Sequence, residues 1–147
     1  MVPHLLEAGV DPRIIDVYDP RLQAFLMYGP DLSIRAQLLK HNVPNCGYHI
    51  RMNREKIFYA TDTGTLDGIE AKGYDWYLVE ANHTKAEIAA RIAEKQAAGE
   101  YAYEYRAAEN HLSLEQAEDW LYQQMGSRSR YVFLHGHEEK VAVPKEG

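Results

Sequence analysis

Two histidines and one aspartate of this chain lie in sequence contexts that could hold a metal ion. His41 precedes a Pro- and Gly-containing segment at 42–48, Asp62 stands in the Thr-Asp-Thr-Gly segment 61–64, and His135 directly follows the apolar run 131–134. Imidazole nitrogens and carboxylate oxygens are the usual ligands of zinc and other first-row divalent metals. We therefore predict a divalent metal, zinc with manganese as the alternative. Three ligands are too few to close a two-metal site.

Each of these residues also has an ordinary structural interpretation when it is taken alone. Asp62 could cap the turn that follows it. His41 could be a packed or solvated side chain. His135 has His137 two residues later, and such a His-x-His pair can itself bind a metal. Cys46, beside the segment of His41, fits a small buried thiol better than a redox centre.

A third histidine and a glutamate could carry proton transfer. His111 lies just before a predicted helix, where a positive charge is disfavoured unless a carboxylate offsets it. Glu80, which follows an apolar strand, is the candidate partner.

Composition limits the classes of protein that this sequence can represent. With 147 residues, 46% apolar and 26% charged, the chain suits one domain with a sizeable core. The net charge of −6 argues against a broad phosphate-binding face, although bound cations could attract an anionic substrate locally. A single cysteine excludes an internal disulfide and fits a cytoplasmic location. We find no apolar run of membrane-spanning length and no signal peptide, and predict no membrane partner.

The elements that must position these residues follow from periodicity and turn signals. We predict a short helix at 3–9 and strands at 33–39, 47–52, 56–60, 76–79 and 131–134, with the strand at 76–79 buried on both faces. Two helices begin at capping boxes, Thr84 with Glu87 and Ser113 with Gln116. Strands alternating with helices indicate an α/β fold in which helices cover a mixed sheet.

Tyrosines alternate along one further segment, at Tyr101, Tyr103 and Tyr105. This alternation favours a half-buried strand or an ordered loop with aromatic packing over a surface that stacks on substrate.

The joint order of His41, Asp62, Glu80, His111 and His135 resembles the C-terminal half of metallo-β-lactamase-fold hydrolases. The likeness is to the phosphodiesterase-like branch, which includes the tRNA 3′-end processing endonucleases. It covers residues 33–137 and rests on several neighbouring sequences, namely Gly47-Tyr48 after His41, Thr61-Asp62-Thr63, Glu80-Ala81, and His111-Leu112-Ser113. The resemblance implies that His41 and His135 ligate metals, that Asp62 bridges them, and that His111 and Glu80 assist proton transfer to the leaving group.

The sequence departs from that family at one named motif. The ligand cluster His-x-His-x-Asp-His is absent, because the only histidine before His41 is His4. We therefore predict that residues 1–147 form a single partial domain, half of an αββα sandwich. The predicted function is phosphodiester hydrolysis, on a nucleotide or nucleic acid, once the domain is complete. The alternative is a non-catalytic remnant or interaction module. Either way, the expected partner is a complementary N-terminal half or another copy in a homo-oligomer.

Overall fold

A single mixed sheet organises the computed structural model, which describes residues 2–14, 19–136 and 141–142. The sheet has seven strands in sequence order, of which the first and last have two residues each. The strands are β1 (Leu26–Met27), β2 (Leu32–Leu39), β3 (Asn45–Met52), β4 (Glu55–Ala60), β5 (Trp76–Glu80), β6 (Arg130–Leu134) and β7 (Val141–Ala142). Strands β1 to β4 are antiparallel neighbours, β4, β5 and β6 are parallel, and β7 is antiparallel to β6.

Four α-helices accompany the sheet within the described ranges. They are α1 (Val2–Glu7), α2 (Lys85–Ala97), α3 (Glu104–Asn110) and α4 (Leu114–Gln124). Both predicted capping boxes are present, at Thr84 for α2 and at Ser113 for α4. None of these helices is long and apolar enough to cross a membrane.

The core lies between α4 and one face of the central strands. Trp120 and Leu121 of α4 pack with Phe58, Tyr77 and Val79, and all five side chains are buried. The predicted α/β architecture, a mixed sheet with helices packed on it, is confirmed. The strand β5 differs in one respect from the prediction, because Trp76 and Leu78 on its opposite face are only half-buried.

The alternating tyrosines do not form a strand. Tyr101 and Tyr103 precede α3, and their rings meet edge to face at 5.1 Å, while Tyr105 lies within that helix. The expectation of an ordered loop with aromatic packing describes the first two residues. The strand expectation is wrong because the segment folds into a helical turn, with all three rings exposed.

Candidate metal centre

Four of the predicted site residues converge at the carboxyl ends of the parallel strands. Asp62 follows β4, Glu80 ends β5 and His135 follows β6, while His111 lies between α3 and α4. One ligand atom from each of these residues lies within 4.8 Å of all the others. Parallel strands end at the same edge of a sheet, so residues far apart in sequence meet there.

Asp62 is held in an unusual backbone conformation. Its φ is +54°, in the left-handed region that residues other than glycine seldom adopt. The side-chain amide of Asn45 donates to the carbonyls of Thr61 and Asp62, at 2.7 and 2.8 Å. The carboxylate thus projects from a clamped backbone and is 41% exposed. Sequence reasoning missed the role of Asn45, because a contact between residues 45 and 61–62 has no local signature.

Gly64 allows two segments of backbone to approach each other closely. It is not needed for a tight turn, because its φ is not positive. Instead, a Cβ at this position would lie 2.2 Å from the carbonyl oxygen of Glu109. The N–H of Gly64 donates to the Lys40 carbonyl at 2.9 Å. The glycine therefore allows the loop after β4 to approach the end of α3, close to His111.

Glu80 is fully buried, and both of its oxygens are engaged. Oε1 accepts from Nδ1 of His111 at 2.5 Å, and Oε2 accepts from the backbone N–H of Thr63 at 3.0 Å. A buried carboxylate is costly unless it is paired in this way. Because both oxygens have partners in the protein, Glu80 is arranged to orient His111 and the loop of Asp62.

His111 occupies the junction between two helices. It caps the carboxyl end of α3, where its backbone N–H donates to Ala107, and α4 begins three residues later. The sequence indicated only the second helix, whose amino end disfavours a cation. The carboxyl end of α3 has the opposite polarity, so the two helix ends counteract each other at this ring.

His135 completes the cluster on its solvent side. Its Nδ1 lies 3.4 Å from Oδ1 of Asp62 and 3.5 Å from Oε1 of Glu80, and the ring is 47% exposed. Its φ is +60°, so it shares the left-handed backbone conformation of Asp62. The predicted pairing partner His137 lies outside the described residues.

His41 lies beside the cluster of four. Its ring is 5.4 Å from that of His111, and its Nδ1 is 3.1 Å from the carbonyl oxygen of Asn110. A carbonyl can only accept, so Nδ1 carries the proton and Nε2 keeps its lone pair. Metal-ligating histidines are commonly oriented by this kind of bond.

Cys46 and His83 stay outside the cluster. Burial raises the pKa of the Cys46 thiol, which disfavours the thiolate that a ligand or nucleophile needs. Burial also lowers the pKa of His83. The interpretation of Cys46 as an ordinary thiol fits its half-buried place on β3.

The donor set fits a divalent metal of the zinc type. The imidazoles of His111 and His135 and the exposed carboxylate of Asp62 are borderline nitrogen and oxygen donors, which suit zinc and manganese. The cluster contains two carboxylates, and a bound divalent cation would lower their mutual repulsion.

Comparisons with known proteins point to the same fold. No protein-family profile matches this sequence, and no curated protein is similar to it. Among solved structures, the metallo-β-lactamase fold protein YhfI from Bacillus subtilis is similar, with a TM-score of 0.59 and 14% sequence identity. The match covers 82% of this chain and 42% of that protein, so the chain spans less than half of the neighbour's length. The chain therefore has the fold of a portion of a metallo-β-lactamase-fold protein.

Proposed function

We propose that this chain is the metal-binding portion of a divalent-metal-dependent hydrolase that acts on phosphodiesters. The observation that carries the proposal is the cluster at the carboxyl edge of the sheet, where Asp62 and His135 face the His111–Glu80 pair. Asp62 and His135 of that cluster would hold the metal, and the family resemblance adds Nε2 of the neighbouring His41. A bound divalent cation supplies an activated water at neutral pH and polarises the phosphoryl oxygen.

His111 would transfer a proton to the leaving group in this reaction. Its Nδ1–H donates to Glu80, which fixes the plane of the ring and leaves Nε2 free to take up a proton from water and pass it to a leaving oxygen. Glu80 acts through His111 and through the Thr63 backbone, so it is a positioning residue. The half-exposed side chains of Asp62 and His135 leave the site open to a substrate from solvent.

The phosphodiester substrate, in a nucleotide or nucleic acid, rests on the sequence resemblance. The net charge of −6 makes long-range attraction of a polyanion unfavourable. Recruitment would therefore depend on the cation at the sheet edge. The single cysteine supports a cytoplasmic location.

A second candidate function is a non-catalytic module that pairs with another chain. It is favoured by the absence of a His-x-His-x-Asp-His motif from the sequence. In both cases we propose that the site is completed by ligands from another segment or chain, a complementary N-terminal half above all.

Metal binding by the purified chain tests the proposal. We expect on the order of one zinc or manganese ion per chain after equilibrium dialysis. His135→Asn should lose it, and asparagine tolerates the left-handed backbone at this position. The matched control is His4→Asn, which removes an exposed imidazole far along the chain from the cluster. The proposal would be overturned if neither zinc nor manganese binds, or if the two variants bind the metal equally.

Hydrolysis separates the two candidate functions. With metal bound and the complementary N-terminal half supplied, we expect slow cleavage of bis(p-nitrophenyl) phosphate, reduced about 100-fold or more by His111→Gln with metal retained. Bound metal without any cleavage would favour the non-catalytic module.

A further inference from the structure

Three cations lie together on the side of the sheet that packs against α4. They are Arg35 of β2, Arg51 of β3 and Lys56 of β4, here called the cation cluster. The register pairs Arg51 with Lys56, and it pairs His49 with both Arg35 and Phe58. Cross-strand partners point to the same side of a sheet, as do residues two apart on one strand. Because Phe58 belongs to the α4 core, the cluster shares the side of that core.

Aromatic rings orient the cations of this cluster. The guanidinium carbon of Arg51 lies 4.0 Å from the centre of the Phe25 ring, and that of Arg35 lies 5.5 Å from the same centre. The Lys56 ammonium lies 5.8 Å from the centre of the Tyr74 ring. A cation–π contact holds a cation in place without neutralising it. The cluster therefore keeps its positive charge and most of its N–H donors.

No carboxylate forms an ion pair with the cation cluster within the described ranges. On the turn that packs against β2, by contrast, Arg21 binds Asp19 at 2.6 Å. Asp75 lies near Lys56, but its carboxylate accepts the Lys56 backbone N–H at 2.8 Å. Acidic side chains are in excess in a chain of net charge −6. Three adjacent cations without one favour an anion from solution as their partner.

Two polar atoms of this region are buried without a hydrogen-bond partner among the residues that the structure describes. One is Nε of Arg35, whose Nη1 donates to the Gln23 side chain at 3.0 Å. The other is Nε2 of His49, a residue with no exposed surface. Water satisfies exposed cations such as Arg51 and Lys56, but a buried polar atom without a partner costs free energy. A ligand that accepts hydrogen bonds would remove that cost.

The tautomer of His49 decides whether both of these atoms are donors. Nε of Arg35 always carries a proton. The Tyr74 hydroxyl lies 3.0 Å from Nδ1 of His49 and can donate to it, which places the imidazole proton on Nε2. In that tautomer two buried donors on neighbouring strands need an acceptor, and the oxygens of one anion can serve both.

We propose that the cation cluster binds a terminal phosphate group, on inorganic phosphate or on a small phosphate monoester. Guanidinium forks match phosphate oxygens in geometry, and a terminal phosphate carries a charge of about −1.5 to −2 at neutral pH. Because Arg35 and Arg51 share one aromatic ring, the cluster is compact and suits one doubly charged group better than a chain of singly charged diesters. The site lies toward the amino ends of the parallel strands, away from the candidate metal centre.

Titration of the metal-free chain with inorganic phosphate tests this inference. Chelator is present, so phosphate has no metal ion to bind. The imidazole NMR signals of His49 should shift saturably, with the nitrogen-15 signals showing the proton on Nε2. Bound phosphate should also raise the pKa of His49 from about 4, because the anion offsets the charges of Arg35 and Arg51. Sodium chloride at matched ionic strength should produce neither change.

Replacement of one exposed arginine tests the cluster itself. Arg51→Gln should raise the dissociation constant for phosphate by about tenfold or more, because it removes one charged fork. The matched control, Arg130→Gln, removes the same charge from an exposed arginine on the other face of the sheet, where the guanidinium lies 5.1 Å from the centre of the Trp76 ring. Arg51→Lys keeps the charge but loses the fork, so its affinity should lie between those of wild type and Arg51→Gln.

Two organic phosphates identify the class of ligand. Tighter binding of phenyl phosphate than of inorganic phosphate would assign a monoester to the site, and equal or weaker binding would assign inorganic phosphate. Dimethyl phosphate, a singly charged diester, should bind about tenfold more weakly than inorganic phosphate. The inference fails if phosphate causes no saturable shift, if both glutamine variants lose affinity equally, or if dimethyl phosphate binds as tightly as inorganic phosphate. Because metal is absent throughout, such a failure is distinguishable from failure of the proposed hydrolase function.

Discussion

An aspartate and a histidine lie near each end of the parallel strands. At one end these side chains are hydrogen-bonded or buried, and at the other end they are half-exposed. Near their amino ends, Asp75 accepts the Lys56 N–H at 2.8 Å, and the Tyr74 hydroxyl lies 3.0 Å from Nδ1 of His49, which is fully buried on the adjacent strand β3. At their carboxyl ends, the Asp62 carboxylate and the His135 ring are half-exposed and lie 3.4 Å apart.

This contrast shows what distinguishes a candidate site from a structural contact. Asp75 also ties β4 to β6 through its backbone, which bonds to Lys56 and Arg130 at 2.9 Å each. Asp75 therefore uses both its side chain and its backbone for hydrogen bonds that hold neighbouring strands together. Asp62 instead has its backbone clamped and its carboxylate turned toward other ligands, so its chemistry remains available.

The largest effect should come from Asp62→Asn, and Asp75→Asn is its matched control. Asp62→Asn keeps the shape and tolerates the left-handed backbone but removes a ligand, so zinc affinity should fall more than about 100-fold. Asp75→Asn should leave zinc affinity unchanged. Competition with a chromophoric chelator measures both, and equal losses would erase the distinction between the two ends.

The buried histidine should make stability depend on pH. Burial, with help from Arg35 and Arg51, lowers the pKa of His49 from 6.5 to about 4. The unfolded chain takes up a proton below pH 6.5, whereas the folded chain resists until about pH 4. The contribution of His49 to the free energy of unfolding is therefore complete above pH 6.5, and it decreases by about 3 kcal/mol as the pH falls to 4.

Urea unfolding at pH 7 and at pH 4 checks this for the wild type and His49→Gln. The variant should lose less stability between the two pH values, by about that amount. An equal loss in both proteins would show that His49 is not protected from protonation.

Glu80→Gln should weaken metal binding without abolishing it. The amide keeps the size of the side chain but removes the negative charge that orients His111, and changes of this kind cost 10- to 100-fold, roughly, in metal affinity. Calorimetric titration with zinc measures it. A loss as large as that of Asp62→Asn would make Glu80 a direct ligand.

The smallest effect should come from Asp75→Ala. It removes the acceptor of one strand-end hydrogen bond and should lower the free energy of unfolding by about 1 kcal/mol. Denaturant unfolding provides the measurement, with zinc affinity as the control. A change in zinc affinity would link the two ends of the sheet.

Local signals made most elements predictable. Thr84 and Ser113 cap their helices with residues three positions later, a pattern visible in any short window. Helix α3 escaped prediction because its N-cap, Tyr103, makes no side-chain capping bond, and because its alternating tyrosines imitate a strand. It contacts α2 through the Gln96–Tyr105 hydrogen bond at 2.6 Å, which no local pattern encodes.

The candidate site was predictable only in part. The ordered motifs named Asp62, Glu80, His111 and His135, and the structure brings these four together. The Asn45 clamp and the approach of Gly64 to Glu109 join distant segments, so no local pattern encodes them. The half-buried face of β5 also differs from the prediction, because a run of apolar residues does not show what covers each face of a strand.

The left-handed backbones of Asp62 and His135 have a consequence over evolutionary time. Aspartate, histidine and asparagine adopt this conformation more readily than most residues, but glycine adopts it without a steric cost, so both positions favour glycine on stability alone. Selection for metal-binding side chains opposes their replacement by glycine. In a lineage that had abandoned metal chemistry, these two positions should be among the first to change, and descendants carrying glycine at both would record the loss.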